Sequence, residues 1–148
     1  MEIEVYNDEY FMKQAMREAE LAYAEDEVPV GAIITVNKKI IGRGHNLTER
    51  LVDVTAHAEI QAITAASGYL GAKYLKDCTL YVTLEPCPMC AGALFWSQIG
   101  RVVYAAKDEK RGFLAHGGRL HKTTVLEGGF MEKEASSLLK TYFASKRL

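Results

Sequence analysis

Two cysteines, one histidine and one glutamate have the types and the spacing of a metal-centred catalytic site. Cys87 and Cys90 lie three residues apart in a Cys-Pro-Met-Cys run, and His57 and Glu59 lie two residues apart. A catalytic zinc ion takes three protein ligands, among which thiolate and imidazole are common, and keeps a further position for water. His57, Cys87 and Cys90 would supply these three ligands, so the sequence predicts one Zn²⁺ per subunit.

The predicted secondary structure brings both cysteines to the start of a helix. A strand is expected over residues 78–83 and an apolar helix over residues 87–98. Residues three apart share one face of a helix, and the positive helix N-terminus favours thiolate over thiol. His57 is the best third ligand because it lies in the first turn of a helix predicted over residues 56–67. The other histidines lie in predicted loops or at strand ends: His45, His116 and His121.

Glu59 is the predicted proton carrier. It follows His57 by two residues, about 200° around a regular helix, so its carboxylate is not expected to share the coordination direction of His57. A carboxylate beside zinc-bound water can act as a general base and, once protonated, as a general acid. The predicted chemistry is therefore hydrolysis by zinc-activated water with Glu59 as the proton shuttle.

The remaining pattern predicts an α/β sandwich in a single domain over residues 1–148. Asn7 or Asp8 caps a first helix, and Thr55 is the expected cap of the helix that carries His57 and Glu59. Strands over residues 30–36 and 40–44 should form a hairpin. The other predicted elements are a helix over 9–25, strands over 101–106 and 123–126, and a final helix over 131–146.

Composition and charge narrow the class of protein. The 148 residues are 49% hydrophobic and 25% charged, which is typical of a globular chain and excludes disordered and collagen-like classes. Three cysteines make a poor disulfide framework but suit a metal or redox site in a reducing compartment. The acidic first residues differ from a secretory signal, and the apolar run 90–96 is too short to span a bilayer. We therefore expect a cytoplasmic protein without membrane association.

Charge is distributed unevenly along the chain. Residues 1–100 carry eight Lys and Arg against fourteen Asp and Glu, whereas residues 101–148 carry ten against five. A basic C-terminal part could attract phosphates, although such a bias is also typical of a solvated face. Charge alone leaves both interpretations open.

The two motifs together resemble the cytidine deaminase superfamily. Thr-Ala-His57-Ala-Glu59 and the run Thr-Leu-Glu-Pro-Cys-Pro-Met-Cys at residues 83–90 are similar to its His-x-Glu and Pro-Cys-x-x-Cys signature. The resemblance implies a three-layer α/β/α sandwich with a five-stranded mixed sheet. Within the superfamily the chain resembles bacterial tRNA-specific adenosine deaminases, which make inosine at the wobble position of the anticodon. The segments that carry this likeness are 27–32, 44–46, 91–93 and 99–103.

The same resemblance implies the substrate contacts. Asn46 would contact the nucleoside, Val30 and Leu84 would line the pocket, and Asp108 and Lys110 would approach the flanking nucleotides. The end of the final helix is similar to the part of these enzymes that grips the anticodon stem-loop of tRNA. Its residues are Tyr142, Phe143, Lys146 and Arg147. The family also forms homodimers in which the partner shapes the active site, and an apolar helix around residues 91–96 is consistent with that.

Two other functions stay open at this point. Cys-Pro-Met-Cys followed by Leu94, Phe95 and Trp96 also resembles bacterial guanine deaminases, so a free base such as guanine or cytosine could be the substrate. A Cys-Pro-x-Cys run at a helix start is also typical of redox dithiols. Such a redox protein would lose activity on alkylation but not on zinc removal.

Overall fold

The computed structural model of the chain describes residues 5–147. The helices in this range are α1 (Asp8–Ala24), α2 (Ala58–Leu70), α3 (Pro88–Ser97), α4 (Phe113–His116) and α5 (Glu132–Lys146). The strands are β1 (Gly31–Val36), β2 (Lys39–His45), β3 (Cys78–Leu84), β4 (Arg101–Ala106) and β5 (Val125–Gly128). No helix among the described residues is long and apolar enough to cross a membrane.

The strands form one five-stranded mixed sheet in the order β2-β1-β3-β4-β5. β1 pairs antiparallel with β2 and β3, whereas β3, β4 and β5 run parallel. Parallel neighbours need a crossover connection, and α3 supplies the one between β3 and β4. The predicted hairpin of β1 and β2 and the predicted mixed sheet are both confirmed.

Helices cover both faces of this sheet, as the three-layer prediction requires. One buried cluster contains side chains of α2, α3 and Val82 of β3, and the other contains side chains of α1, α5 and the neighbouring Tyr81. Successive strand residues point to opposite faces, so β3 contributes to both clusters. The core therefore consists of two layers, one on each side of the sheet.

Two glycines on β2 set how closely α2 approaches the sheet. A Cβ atom at Gly42 would lie 2.5 Å from the backbone oxygen of Ala62, and one at Gly44 would lie 2.4 Å from that of Ala58. Any side chain at these positions would push the helix outward. The absence of a Cβ at Gly44 thus places the start of α2, where His57 and Glu59 lie, directly against the strand.

The start of α2 differs from the sequence prediction. The backbone N–H and the hydroxyl of Thr55 both donate to Asp53 Oδ1, each over 2.8 Å, so Thr55 does not cap the helix. The helix begins at Ala58, and His57 is its N-cap residue rather than a member of its first turn. The prediction was wrong here because His57 has extended backbone, with φ of −73° and ψ of 158°, so the helix starts two residues later than predicted and Thr55 does not lie next to its first turn.

Two further predictions needed correction in the last third of the chain. The short helix α4 was not predicted, since four residues show no periodicity. β5 lies two residues later than expected, because the Thr124 hydroxyl donates to the carbonyl of Ile99 and the first paired residue is Val125. Neither change alters the order of the main elements.

Candidate active site

His57, Cys87 and Cys90 come together as predicted. His57 Nδ1 lies 3.7 Å from Cys87 Sγ and 3.5 Å from Cys90 Sγ, and all three ligand atoms lie within 4.8 Å of one another. Zinc bonds of about 2.3 Å to sulfur and about 2.0 Å to nitrogen put neighbouring atoms of a tetrahedral site about 3.5 Å apart. The donor set and its spacing therefore fit zinc. Among residues 5–147 no other such cluster of His, Cys, Asp and Glu is found.

Two adjoining chain segments position the sulfurs. β3 ends at Leu84, and α3 starts at Pro88, so Cys87 is the N-cap of α3 and Cys90 lies in its first turn. Proline suits this first helical position because its fixed φ matches the helix and its missing N–H would have no partner there. Cys90 is buried, whereas Cys87 borders the pocket.

The two thiols differ in acidity. A hydrogen bond from Cys90, assisted by one from His57, lowers the pKa of Cys87 to about 4 despite the effect of burial. The same hydrogen bond and burial raise the pKa of Cys90. The hydrogen bond to Cys87 also raises the pKa of His57. Ligation requires deprotonated sulfur and neutral imidazole, so zinc binding must release protons from this cluster.

Glu59 lies in the first turn of α2 with only 4% of its surface exposed. Burial raises the pKa of its carboxyl to about 7, against the opposing effects of the His57 charge and a hydrogen bond with Cys90. A carboxyl group of this acidity can both accept and donate a proton near neutral pH. The location of Glu59 beside His57 agrees with its predicted role as the proton carrier.

A cavity of about 790 Å³ opens over these residues and is lined by His57, Glu59 and Cys87. It also brings together these predicted substrate residues: Val30, Asn46, Leu84, Asp108, Lys110, Phe143 and Arg147. The Asn46 amide is held in place, since its nitrogen donates to the Val28 carbonyl and its oxygen accepts the Thr48 N–H. The roles of these seven cavity residues toward a substrate stay predictions.

Tyr142 and Lys146 do not line this cavity. The Tyr142 hydroxyl donates to the Asp26 carbonyl over 3.2 Å, and the Lys146 ammonium forms an ion pair with the Asp26 carboxylate. Both residues border a different cavity of about 710 Å³ beside the end of α1. In the structure they fasten α5 to the rest of the fold.

Several pocket residues were not singled out in the sequence. One face of α5 forms a wall of the cavity through Glu132, Ser136, Leu139 and Lys140. Ser136 follows Glu132 by four residues, and Leu139 and Lys140 follow Ser136 by three and four, which is the spacing of a helix face. The mixture of charged, hydroxyl and apolar groups gives no amphipathic signal. Glu85 and Ala106 also line the cavity. Glu85 lies in the motif at residues 83–90, where residue type and spacing point only to the cysteines.

Fold and site together define a class of protein. A three-layer sandwich that presents one histidine and two cysteines beside a buried glutamate has the arrangement of the zinc-dependent deaminases. The chain belongs to the cytidine and deoxycytidylate deaminase family, since residues 5–106 match the model of its zinc-binding region. The predicted superfamily and its zinc cofactor are thereby confirmed.

Comparison with individual proteins gives more specific likenesses than the family model. The chain is 44% identical to the tRNA-specific adenosine deaminase of Aquifex aeolicus, over 94% of this chain and 95% of that protein. A solved structure from work on A-to-I editing by tRNA:A34 deaminases is 40% identical, with a TM-score of 0.81 over 88% of this chain and 99% of that one. Guanine deaminase from Bacillus subtilis is 44% identical, with a TM-score of 0.66 over 68% of this chain and 65% of that one.

Proposed function

We propose that the protein hydrolyses the 6-amino group of adenosine at the wobble position of a tRNA anticodon, giving inosine and ammonia. The observation that carries this proposal is the basic rim of the pocket that contains Glu59. Its basic side chains are Lys107, Lys110, Arg111, Lys140 and Arg147. Two of the five carboxylates that line the cavity, Glu59 and Glu85, are buried. The basic side chains therefore outnumber the carboxylates that are at least partly exposed, which are Asp108, Glu109 and Glu132. A free base has no phosphate for these cations, whereas an anticodon loop has several.

The likeness to tRNA-specific adenosine deaminases supports the same substrate. It extends over 94% of this chain at 44% identity, whereas the structure of guanine deaminase from Nitrosomonas europaea, which covers 92% of this chain, is 26% identical. Residues of α5, in the basic C-terminal part of the chain, line the cavity. Sequence identity along nearly the whole chain therefore supports the tRNA substrate.

The reaction consumes one water and releases one ammonia. A zinc ion held by His57, Cys87 and Cys90 would supply Lewis acidity that lowers the pKa of water toward about 7. Glu59 can hold a proton on its carboxyl oxygen at neutral pH, deliver it to ring nitrogen N1 and later protonate the departing amine at C6. Burial of this carboxyl keeps its proton transfer directed at the bound base rather than at bulk water.

The walls of the cavity would orient the base and its neighbours. Val30 and Leu84 offer apolar contact to the ring, and the fixed Asn46 amide offers hydrogen bonds to the nucleoside. Phe143 offers a ring on which a flanking base can stack, and Arg147 can neutralise a phosphate. Tyr142 and Lys146 would contribute by holding α5 in place and by contacting the loop beyond the cavity.

We also propose that residues 1–148 form one domain, act in the cytoplasm and assemble as a homodimer. Exposed apolar side chains on α3 and on the segment before α2 favour a covered surface. Trp96 is 75% exposed, Val52 is 92% exposed and Val54 is 82% exposed. Analytical ultracentrifugation at several concentrations would give a dimer mass, and a monomer at all of them would contradict the assembly.

The experiment that tests the function is ammonia release by the zinc-loaded protein. An anticodon stem-loop with wobble adenosine is compared with free guanine, cytosine and adenosine, and a stem-loop with wobble guanosine is the control. Release from the adenosine stem-loop alone, with inosine found at the wobble position, supports the proposal. Release from free guanine alone would replace it by the second candidate, which the 44% identity to the Bacillus subtilis guanine deaminase favours.

A further inference from the structure

Glu85 is a buried carboxylate at the junction between β3 and the cysteine-bearing turn. Only 2% of its surface is exposed. Its Oε1 accepts the backbone N–H of Asp108 and its Oε2 accepts that of Leu114, each over 3.1 Å. A buried carboxylate is stabilised only when its oxygens are hydrogen-bonded, and here backbone groups of one distant loop supply these bonds.

The loop over residues 108–114 is folded around this carboxylate. Its own backbone bends because Asp108 Oδ1 accepts the N–H groups of Lys110 and Arg111. Gly112 lies so close to Glu85 that a Cβ atom there would be 2.1 Å from Oε2. The loop and Glu85 therefore fit only with glycine at this position.

The same loop is also tied to the metal-binding turn. The Phe113 N–H donates to the carbonyl of Pro86 over 2.9 Å, one residue before Cys87. Asp108, Lys110 and Arg111 of this loop line the pocket. Glu85 thus connects the segment that holds zinc to the segment that forms the basic rim.

We propose that Glu85 is a positioning residue for the RNA substrate. It fixes the loop 108–114 so that Asp108, Lys110 and Arg111 meet the nucleotides that flank the target base. This assignment rests on the proposed function, since it needs a substrate with flanking nucleotides. Because Glu85 acts through the loop, it affects substrate binding and leaves the chemical step at Glu59 intact.

The test is Glu85→Gln in the full-length, zinc-loaded protein, with Glu20→Gln as the matched control. The glutamine amide can accept only one of the two loop N–H groups and turns its own N–H toward the other. Glu20 lies on the exposed side of α1, so the same change there should have no effect. Hydrogen exchange measured by NMR reports the amides of Asp108 and Leu114, and kinetics report KM and kcat for the stem-loop.

We expect at least one of these two amides to exchange about tenfold faster in Glu85→Gln, because it has lost its acceptor. KM for the stem-loop should rise about fivefold or more with kcat within about twofold of wild type, the pattern of lost binding without lost chemistry. Unchanged exchange, an unchanged KM, or a fall in kcat alone would each overturn the proposal. Bound zinc is measured alongside and should stay at one per chain.

Gly112→Ala tests the same contact from the loop side and decides the matter if Glu85→Gln does not fold. Its added methyl group displaces the carboxylate and should raise KM in the same way, whereas Gly68→Ala, where a Cβ meets nothing, should not. A normal KM in Gly112→Ala would contradict the proposal.

If the wild-type protein does not act on the stem-loop, the proposed function fails and the assignment of an RNA-positioning role fails with it. The exchange measurement would still show whether Glu85 anchors the loop.

Discussion

His57 and Cys87 occupy the same position on two different helices. Each is the N-cap residue, with φ of −73° in both and ψ of 158° and 169°, and neither side chain makes a capping hydrogen bond. Residues that bond to the helix N–H groups usually stand at this position and stabilise the helix. The extended backbone instead lets both side chains turn away from their helices and toward each other. At both helix starts the N-cap residue is therefore available as a metal ligand and does not cap the helix.

Zinc removal should destabilise the protein for this reason. Ligand binding to the folded state alone stabilises it by roughly 3 to 4 kcal/mol at metal concentrations 100 to 1,000 times Kd. Chelation should therefore lower Tm clearly, and Cys87→Ala should have the same low Tm with or without chelator. Cys78→Ala is the control, since this buried cysteine belongs to the core. It should keep one zinc per chain, and equal zinc in Cys87→Ala would contradict the ligand set.

Glu59→Gln should keep zinc but lose turnover by about 10²- to 10⁴-fold, the usual contribution of a positioned acid or base. The amide has nearly the same shape but can neither hold nor deliver the proton. Zinc content by mass spectrometry and single-turnover rates on the stem-loop would check this. Glu59→Ala should behave alike. An active, zinc-loaded variant would remove Glu59 from the mechanism.

Asp8 and Arg101 should make stability depend on pH. Arg101 donates to both oxygens of Asp8 over 2.8 and 2.7 Å, and the Tyr81 hydroxyl donates over 2.6 Å. The hydrogen bonds from Arg101 lower the pKa of Asp8 despite partial burial. A lowered pKa means that the stabilisation is complete above the ordinary value of 3.8 and disappears as pH falls toward the folded-state value.

Asp8→Asn should therefore cost about 1 kcal/mol at pH 7, a modest amount because the pair is partly exposed. The difference from wild type should shrink as pH falls below the ordinary value, which urea unfolding at several pH values would show. Glu9→Gln is the control, since Glu9 lies in the same first turn but pairs with Lys13 in solvent. A difference between wild type and Asp8→Asn that stays constant down to acid pH would count against the ion pair.

Phosphate contacts at the pocket rim should appear in the salt dependence of binding. Each contact to single-stranded RNA adds about 0.7 to the slope of log affinity against log salt. Lys110→Ala should reduce this slope by about that amount and weaken binding of the stem-loop regardless of its sequence. Lys73→Ala removes an exposed lysine that packs on Tyr74 away from the pocket and should leave the slope unchanged. Equal slopes in both variants would place the Lys110 side chain away from phosphate.

The chemistry was predictable because it depends on residue types and short spacings. Cys87 and Cys90 are three residues apart on a helix start, and zinc accepts few other side chains, so type and spacing together identified the ligands. Glu59 could be singled out because a carboxylate two residues from a zinc ligand can accept a proton from zinc-bound water. The helical angle behind that prediction does not apply, since His57 precedes the helix as its N-cap. The main strands and helices were predictable from periodicity, which is also a local property of the chain.

Tertiary structure decided what depends on residues far apart in the chain. The loop at 108–114 takes its shape from Glu85, more than twenty residues earlier, and no local pattern marks that carboxylate as its anchor. Phe143 lines the pocket, whereas the hydroxyl of its neighbour Tyr142 donates to the Asp26 carbonyl. The packing of α5 on the sheet determines which of the two side chains faces the pocket. Hydrogen bonds and packing between distant segments carry no periodic signal, so the sequence determined the reaction centre and the three-dimensional fold determined what surrounds it.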